Sequence, residues 1–179
     1  MPFVSTREML KKAQQGKYAV GAFNAENMEM VQAIVAAAEA EHAPVIIQTT
    51  PGTLKYADAM IFAGQASRLA AAAKVPVALH LDHGNSFELA EYCVRQGYTS
   101  VMIDGSLLPF EDNVALSRRV VEMAGDTPVE AELGTVGGKE DSHEASMSYT
   151  DPAQAEEFVR RTGVYSFAPA IGTAHGVYK

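Results

Sequence analysis

The sequence predicts an α/β fold in which strands and helices alternate along the whole chain. Six short apolar runs are separated by helical patterns. These units recur every ~30 residues, as the βα units of a parallel sheet do. In addition, a polar residue follows each apolar run at an equivalent position. Because the carboxyl ends of the strands converge on one face of a βα barrel, this recurrence favours a barrel with a functional face.

The first elements are a capped helix, a strand and an amphipathic helix. Ser5 precedes the first helix and Glu8 lies three positions later, which is the spacing of a capping box. This helix would end near Gly16, and YAVGAFN at 18–24 predicts a strand. Apolar residues at i, i+3, i+4 and i+7 then predict a helix over 26–40.

The middle of the chain repeats the pattern. The run PVIIQTT at 44–50 predicts a strand, which the Pro-Gly pair at 51–52 is expected to end. An Ala-rich helix is predicted over 58–74, and the stretch 76–84 is predicted to begin as a buried strand and to turn at His83. A helix over 86–96 follows, and a glycine ends it.

The last units are similar, apart from one long connection. Strands are predicted at 99–106 and 128–134, with a helix at 110–124 between them. The Gly-rich, polar segment 135–149 is predicted to be a loop, whose composition suits a lid and equally suits plain surface disorder. No Gly-x-Gly-x-x-Gly motif follows the first strand, so a dinucleotide-binding fold lacks its main support. The final elements are a helix over 151–162, with Pro at its first position, and a strand over 166–173.

Composition limits the class of protein. The chain has 179 residues and 47% hydrophobic residues, as expected for one soluble domain over 1–179. No apolar run reaches the ~20 residues of a membrane span and no leader is evident, so we expect no membrane partner. The net charge of −8 argues against nucleic acid. The single cysteine, Cys93, is expected to be a small core residue in a cytoplasmic protein.

The segment HLDHG at 80–84 is the most informative stretch of the sequence. It places two imidazoles, a carboxylate and a glycine at the end of a buried strand, with His83 just past the strand. Polar groups there are costly unless they hold a metal or a substrate. Strand alternation places Ala78, His80 and Asp82 on one face and Val77, Leu79 and Leu81 on the other.

Polar residues at the other strand ends complete a candidate site. Imidazoles and carboxylates that converge on one face suggest a divalent metal, with zinc favoured by the histidines. His83 and His175 are the candidate ligands, and no third histidine is evident, since His42 and His143 are predicted to lie on the surface. The strand-end residues are Asn24, Thr50, Asp82, His83, Asp104, Glu132 and His175.

Three further residues have open roles at this stage. Asp82 suits an acid/base beside a metal, and the rival interpretation is that it only orients a ligand. His80 lies one layer deeper and would orient its neighbours. Glu130 is expected to be structural.

Two alternative chemistries have less support. A Schiff-base mechanism is disfavoured because no lysine lies inside a predicted strand. A zinc hydrolase would more naturally show His-x-His on the first strand.

These motifs resemble the class II, metal-dependent ketose-bisphosphate aldolases, which include fructose- and tagatose-bisphosphate aldolases. The resemblance runs over the whole chain, and its most specific segments are HLDHG, EAELGTVGG and GTAHGVYK. It implies an eight-stranded (βα)8 TIM barrel of which about six units are present here. It also implies reversible aldol cleavage of fructose 1,6-bisphosphate, with tagatose 1,6-bisphosphate as the alternative substrate.

The resemblance also implies roles for individual residues. Asp82 would transfer a proton, and Glu140 would do so at the substrate carbon. His83 and His175 would bind the catalytic zinc, and Asp104 and Glu132 would form a second divalent position. The predicted substrate contacts are Asn24, Thr50, Gly176, which would also contact a monovalent cation, and Lys179.

The sequence departs from this family in ways that carry expectations of their own. The segment that would supply a third zinc ligand and part of the phosphate site does not follow GTAHGVYK. We therefore expect a C-terminally incomplete domain that binds zinc weakly and has little activity alone, or an inactive remnant. Tyr165 also stands where an acidic residue is frequent. The expected partners are a small phosphorylated sugar and further copies of the chain, in a homodimer or homotetramer.

Overall fold

The computed structural model describes residues 3–136, 138–140, 143–145, 148–172 and 174–175. Its strands are β1 (Gly21–Asn24), β2 (Val45–Thr49), β3 (Val77–Gly84), β4 (Ser100–Ile103), β5 (Val129–Leu133), β6 (Gly138–Glu140), β7 (His143–Ala145) and β8 (Ser166–Pro169). Six of them form a parallel sheet that curls as part of a barrel, in the order β1-β2-β3-β4-β5-β8. The helices are α1 (Thr6–Gly16), α2 (Met28–Ala40), α3 (Pro51–Tyr56), α4 (Ala59–Ala72), α5 (Phe87–Gln96), α6 (Phe110–Ala124) and α7 (Pro152–Thr162).

The predicted alternation is confirmed, with two local additions. As predicted, β2 ends before the Pro-Gly pair at 51–52, but this pair also begins the short helix α3, which was not predicted. Proline is tolerated at the first helical position, and the Thr50 side chain caps the helix. The predicted loop 135–149 contains the antiparallel hairpin β6–β7, and Thr135 forms a bridge with Ser148 outside it.

Most of the core lies between the sheet and the helices. Val77, Leu79 and Leu81 of β3 point into this layer and are fully buried, as alternation predicts. Cys93 is also buried there, and burial raises the pKa of its thiol to about 12. Among the described helices, none has the length and apolar content needed to cross a lipid bilayer.

The opposite face of the sheet combines a small apolar cluster with polar contacts. Met9 of α1 packs against Ile46 and Ala78. Further along the strands, His80 Nδ1 and Ser100 Oγ share a hydrogen bond of 2.7 Å. Ser166 Oγ donates to Glu130 Oε2 at 3.0 Å, so Glu130 belongs to a polar network as predicted.

Candidate metal centre at the carboxyl ends of the strands

His83 lies in an irregular part of β3. Leu81 pairs with Val101 and Gly84 with Ile103, so β3 contains one residue more than β4 over the same stretch. This is the count of a β-bulge, which bends a strand and redirects a side chain. His83 has a φ of 47°. The prediction that His83 falls past the strand end is therefore wrong, because β3 resumes pairing at Gly84 after the bulge.

Gly84 allows the two strands to approach closely behind His83. A Cβ atom at this position would lie 2.4 Å from the carbonyl oxygen of Met102. The backbone N–H of Asp104 donates to the carbonyl of Gly84 at 2.8 Å. Gly84 therefore lets the end of β3 lie directly against Ile103, the residue before the candidate ligand Asp104.

Two carboxylates face the His83 ring. Asp104 follows β4, and its Oδ2 lies 2.8 Å from His83 Nδ1. Its other oxygen accepts a hydrogen bond from the backbone N–H of Ser106 at 3.0 Å, which fixes the carboxylate. Glu132, which is 3% exposed at the end of β5, places Oε2 3.8 Å from His83 Nδ1. One ligand atom from each of His83, Asp104 and Glu132 lies within 4.8 Å of the others.

The surroundings keep Asp104 ionised. Burial raises the pKa of this carboxyl, but the hydrogen bonds from His83 and Ser106 and the charge of His83 outweigh burial and lower the pKa below its ordinary value. A partly buried, ionised carboxylate with a fixed orientation is a suitable ligand for a cation.

His175 approaches the same cluster from the C-terminal segment. Its ring packs edge-on against the His83 ring, with 5.3 Å between the ring centroids and 72° between the planes. The predicted ligand His175 thus lies beside His83, whereas the described group whose ligand atoms come within 4.8 Å of one another consists of His83, Asp104 and Glu132. Imidazole nitrogens and carboxylate oxygens are ligands of zinc and of related divalent ions, so these residues fit such an ion.

The other predicted site residues are placed less fully. Asp82 is half-buried immediately before His83, and Asn24 is exposed at the end of β1. The backbone of Glu140 lies in β6. Its side chain, together with Gly176 and Lys179, lies outside the described residues. Their predicted roles stay predictions.

Thr50 is more enclosed than a direct substrate contact would require. It is 2% exposed, and its Oγ1 lies 3.2 Å from Thr53 Oγ1 within the cap of α3. The Thr53 hydroxyl in turn donates to Glu26 Oε2 at 2.7 Å, which links the segments after β1 and β2. This network was not predicted from the sequence. Threonines three positions apart around a Pro are a capping signal that would have indicated it.

Asn113 was missed in the same way. This residue of α6 is 1% exposed, and its Nδ2 donates to the carbonyl of Glu132 at 2.8 Å. Asn113, Ser117 and Val120 recur at i, i+4 and i+7. That spacing places them on the buried face of the helix, which is a readable signal for a buried polar contact.

The fold and the cluster together define an α/β-barrel protein with a candidate metal centre. A family model described as fructose-bisphosphate aldolase class-II matches residues 4–179. The chain therefore belongs to the class II fructose-bisphosphate aldolase family.

Individual relatives agree with this assignment. The chain is 48% identical over 185 residues to a probable fructose-bisphosphate aldolase of Bacillus subtilis, covering all of this chain and 65% of the relative. It is 46% identical over 187 residues to a fructose-bisphosphate aldolase of Staphylococcus aureus, again covering all of this chain and 65% of the relative.

Solved structures give the same result. The YdjI aldolase of Escherichia coli K12 superposes with a TM-score of 0.87 at 37% identity, over 99% of this chain and 63% of that one. A putative fructose-1,6-biphosphate aldolase of Coccidioides immitis gives a TM-score of 0.88 at 34% identity, over 97% and 63% of the two chains. The chain thus spans about two thirds of the length of the proteins it matches.

Proposed function

We propose that this chain supplies the metal-binding and proton-transfer groups for the reversible aldol cleavage of fructose 1,6-bisphosphate. The products would be dihydroxyacetone phosphate and glyceraldehyde 3-phosphate. The observation that carries the proposal is the contact of His83 with Asp104 and Glu132 at the carboxyl ends of the strands. Membership of the aldolase family supports the reaction class.

In this proposal His83, Asp104, Glu132 and His175 hold a divalent ion, with zinc favoured. When bound, such an ion supplies a Lewis acid that polarises the substrate carbonyl and favours loss of a proton from the adjacent carbon. The protein residues do the remaining work. The hydrogen bonds that Asp104 makes to His83 and Ser106 keep the ligand set oriented before a substrate arrives.

Asp82 is proposed to move the proton. It immediately precedes His83 on the bulged strand and is half-buried, so its carboxyl is not sealed from the solvent. Glu140 is proposed to act at the substrate carbon. Asn24, Thr50, Gly176 and Lys179 are proposed to position the substrate, with Thr50 acting through the fixed cap of α3.

Proton transfer is the step to test, because it can be followed with dihydroxyacetone phosphate alone, whereas cleavage requires the complete bisphosphate to bind. Dihydroxyacetone phosphate is incubated with the purified chain and zinc in heavy water, and loss of its hydroxymethyl proton signal is followed by NMR. We expect exchange that a chelator abolishes. Asp82→Asn should slow it by about 10²–10⁴-fold. Asp126→Asn, an exposed carboxylate after α6, is the matched control and should leave the rate unchanged.

Two results would contradict the proposal. Exchange that persists with chelator and is lost after borohydride treatment would indicate a Schiff base instead. Zinc-loaded chain that exchanges no faster than buffer would indicate an inactive remnant. The proposed substrate is compared with tagatose 1,6-bisphosphate in a coupled cleavage assay, and faster cleavage of tagatose 1,6-bisphosphate would reverse the assignment. Light scattering tests the proposed homodimer or homotetramer.

A further inference from the structure

Asn113 makes a buried contact directly behind the candidate metal centre. It lies in the first turn of α6, and both ends of its amide are hydrogen-bonded: Nδ2 donates to the carbonyl of Glu132 at 2.8 Å, and Oδ1 accepts from Ser117 Oγ at 3.1 Å. A polar side chain that is 1% exposed is costly unless its hydrogen bonds are made. Both bonds are made here.

The same side chain also lies against the segment that follows Asp104. A Cβ atom at Gly105 would be 2.3 Å from Asn113 Oδ1 and 3.3 Å from Asn113 Cα. The chain therefore passes over Asn113 one residue after the candidate ligand Asp104. Asn113 is in contact with both segments that present carboxylates to His83.

The sheet alone does not fix the relative position of these carboxylates. The described pairing of β4 with β5 ends at Ile103 and Ala131, one residue before Asp104 and Glu132 respectively. Beyond that pair, the Asn113 amide donates a hydrogen bond to the Glu132 carbonyl. The contact of Asn113 with Gly105 limits how closely the segment after Asp104 can approach α6. A displacement of a ligand by about 1 Å is enough to impair a metal or catalytic site. The contacts of Asn113 therefore bear on how well Asp104 and Glu132 can share an ion.

We propose that Asn113 is a positioning residue that sets the spacing of Asp104 and Glu132, and through them the affinity and geometry of the metal centre. The inference rests on the proposed metal site. It attributes to Asn113 no contact with a metal or a substrate. A residue that only stabilised the fold would change the free energy of unfolding without changing the ligand geometry.

The test is a cobalt(II) titration of the full chain, since visible d–d bands report the ligand geometry around Co²⁺. Asn113→Leu keeps the branched shape of the side chain and removes both the bond to Glu132 and the bond from Ser117. We expect its Co²⁺ affinity to fall about tenfold and its band envelope to change, in the range found when groups supporting metal ligands are removed. Ser117→Ala is the matched control, because it removes the bond at the other end of the same amide and leaves Nδ2 on Glu132. It should keep the wild-type affinity and spectrum.

The proposal is overturned if Asn113→Leu is less stable but binds Co²⁺ with the wild-type affinity and spectrum. Asn113→Ser, which is smaller and cannot clash with Gly105, replaces the leucine variant if that variant does not fold. His83→Ala separates this proposal from the proposed function: Co²⁺ binding that His83→Ala leaves intact shows that the metal lies elsewhere.

A second measurement applies if the wild-type chain takes up no Co²⁺. The ¹⁵N resonances of the His83 ring then report its contact with Asp104 in the metal-free protein. Asn113→Ser should shift the Nδ1 resonance, because the Asp104 segment is displaced, and Ser117→Ala should not. Identical His83 spectra in both variants and the wild type would contradict the positioning role, whatever the activity of the chain.

Discussion

Replacement of Gly84 by alanine tests whether the close approach of β3 and β4 sets the site. The added Cβ would lie 2.4 Å from the carbonyl oxygen of Met102 and 2.8 Å from the Leu81 side chain. The leucine can rotate, but the carbonyl belongs to the neighbouring strand. The strands would have to separate until this gap exceeded 3.0 Å, the limit that real Cβ contacts respect.

Two losses follow from that separation. The overpacked contact should destabilise the fold by about 1–3 kcal/mol. Weakening of the 2.8 Å hydrogen bond from Asp104 N to Gly84 O adds about 1 kcal/mol. The 2.8 Å contact between His83 and Asp104 should also lengthen, because the two residues lie on the strands that separate. We expect metal affinity to fall about tenfold in consequence.

Urea unfolding and a metal titration measure these two effects separately. Gly64→Ala is the matched control, because a Cβ at this exposed position in the middle of α4 meets nothing within 4 Å. Removing a helical glycine should stabilise the protein by roughly 0.5–1 kcal/mol. If Gly84→Ala is as stable as the wild type, the described contact is wrong. If it is less stable with unchanged metal affinity, the end of β3 does not determine the site.

Three other substitutions test the surrounding structure. Phe158→Ala removes a fully buried ring that packs between Phe110 and Phe167, and should cost about 3–5 kcal/mol in urea unfolding. Tyr165→Phe removes a 2.7 Å hydrogen bond to the carbonyl of Arg7, and should cost about 0.5–1 kcal/mol by the same assay. Burial lowers the pKa of His80, so below pH 6.5 the unfolded chain binds a proton that the folded chain does not. This residue should therefore reduce wild-type stability as the pH falls from 7.5 to 5.5, by on the order of 1 kcal/mol, a loss that His80→Gln lacks.

Each of these expectations has a control and a contrary result. Val159→Ala changes an exposed neighbour of Phe158 and should cost less than 1 kcal/mol; an equal effect would show that Phe158 is not a core residue. Tyr56→Phe, at a 75% exposed ring, should be neutral. His42→Gln, at an exposed histidine, should keep the wild-type loss of stability on acidification. An identical pH dependence in His80→Gln would contradict the assignment to His80.

The order of the strands was predictable because each strand end carries its own signal. Alternation in β3 placed its apolar residues toward the helices, and the structure confirms that face. The spacing of Glu130 and Glu132 likewise placed both on one face. Their surroundings differ because they lie at different positions along β5. Glu130 accepts a hydrogen bond from Ser166, whereas Glu132, nearer the carboxyl end of the strand, faces His83. Local periodicity was sufficient for these features.

The bulge at His83 was not predictable, because it depends on how β3 pairs with β4. Nothing in HLDHG shows that Gly84 resumes pairing with Ile103. The role of Asn113 likewise depends on two segments that are distant in sequence, and only its position on the buried face of α6 was readable. Where a feature depends on contact between separate elements, sequence patterns indicated which residues were available but not which ones meet.

The central claim is that His83, Asp104 and Glu132 form a metal centre, and an equilibrium zinc titration tests it most directly. The full chain is titrated against a competing chromophoric chelator, alongside His83→Ala and the surface control His42→Ala. The account predicts saturable zinc binding that His83→Ala abolishes and that His42→Ala retains. Zinc binding of equal affinity in all three proteins, or no binding in any, would contradict it.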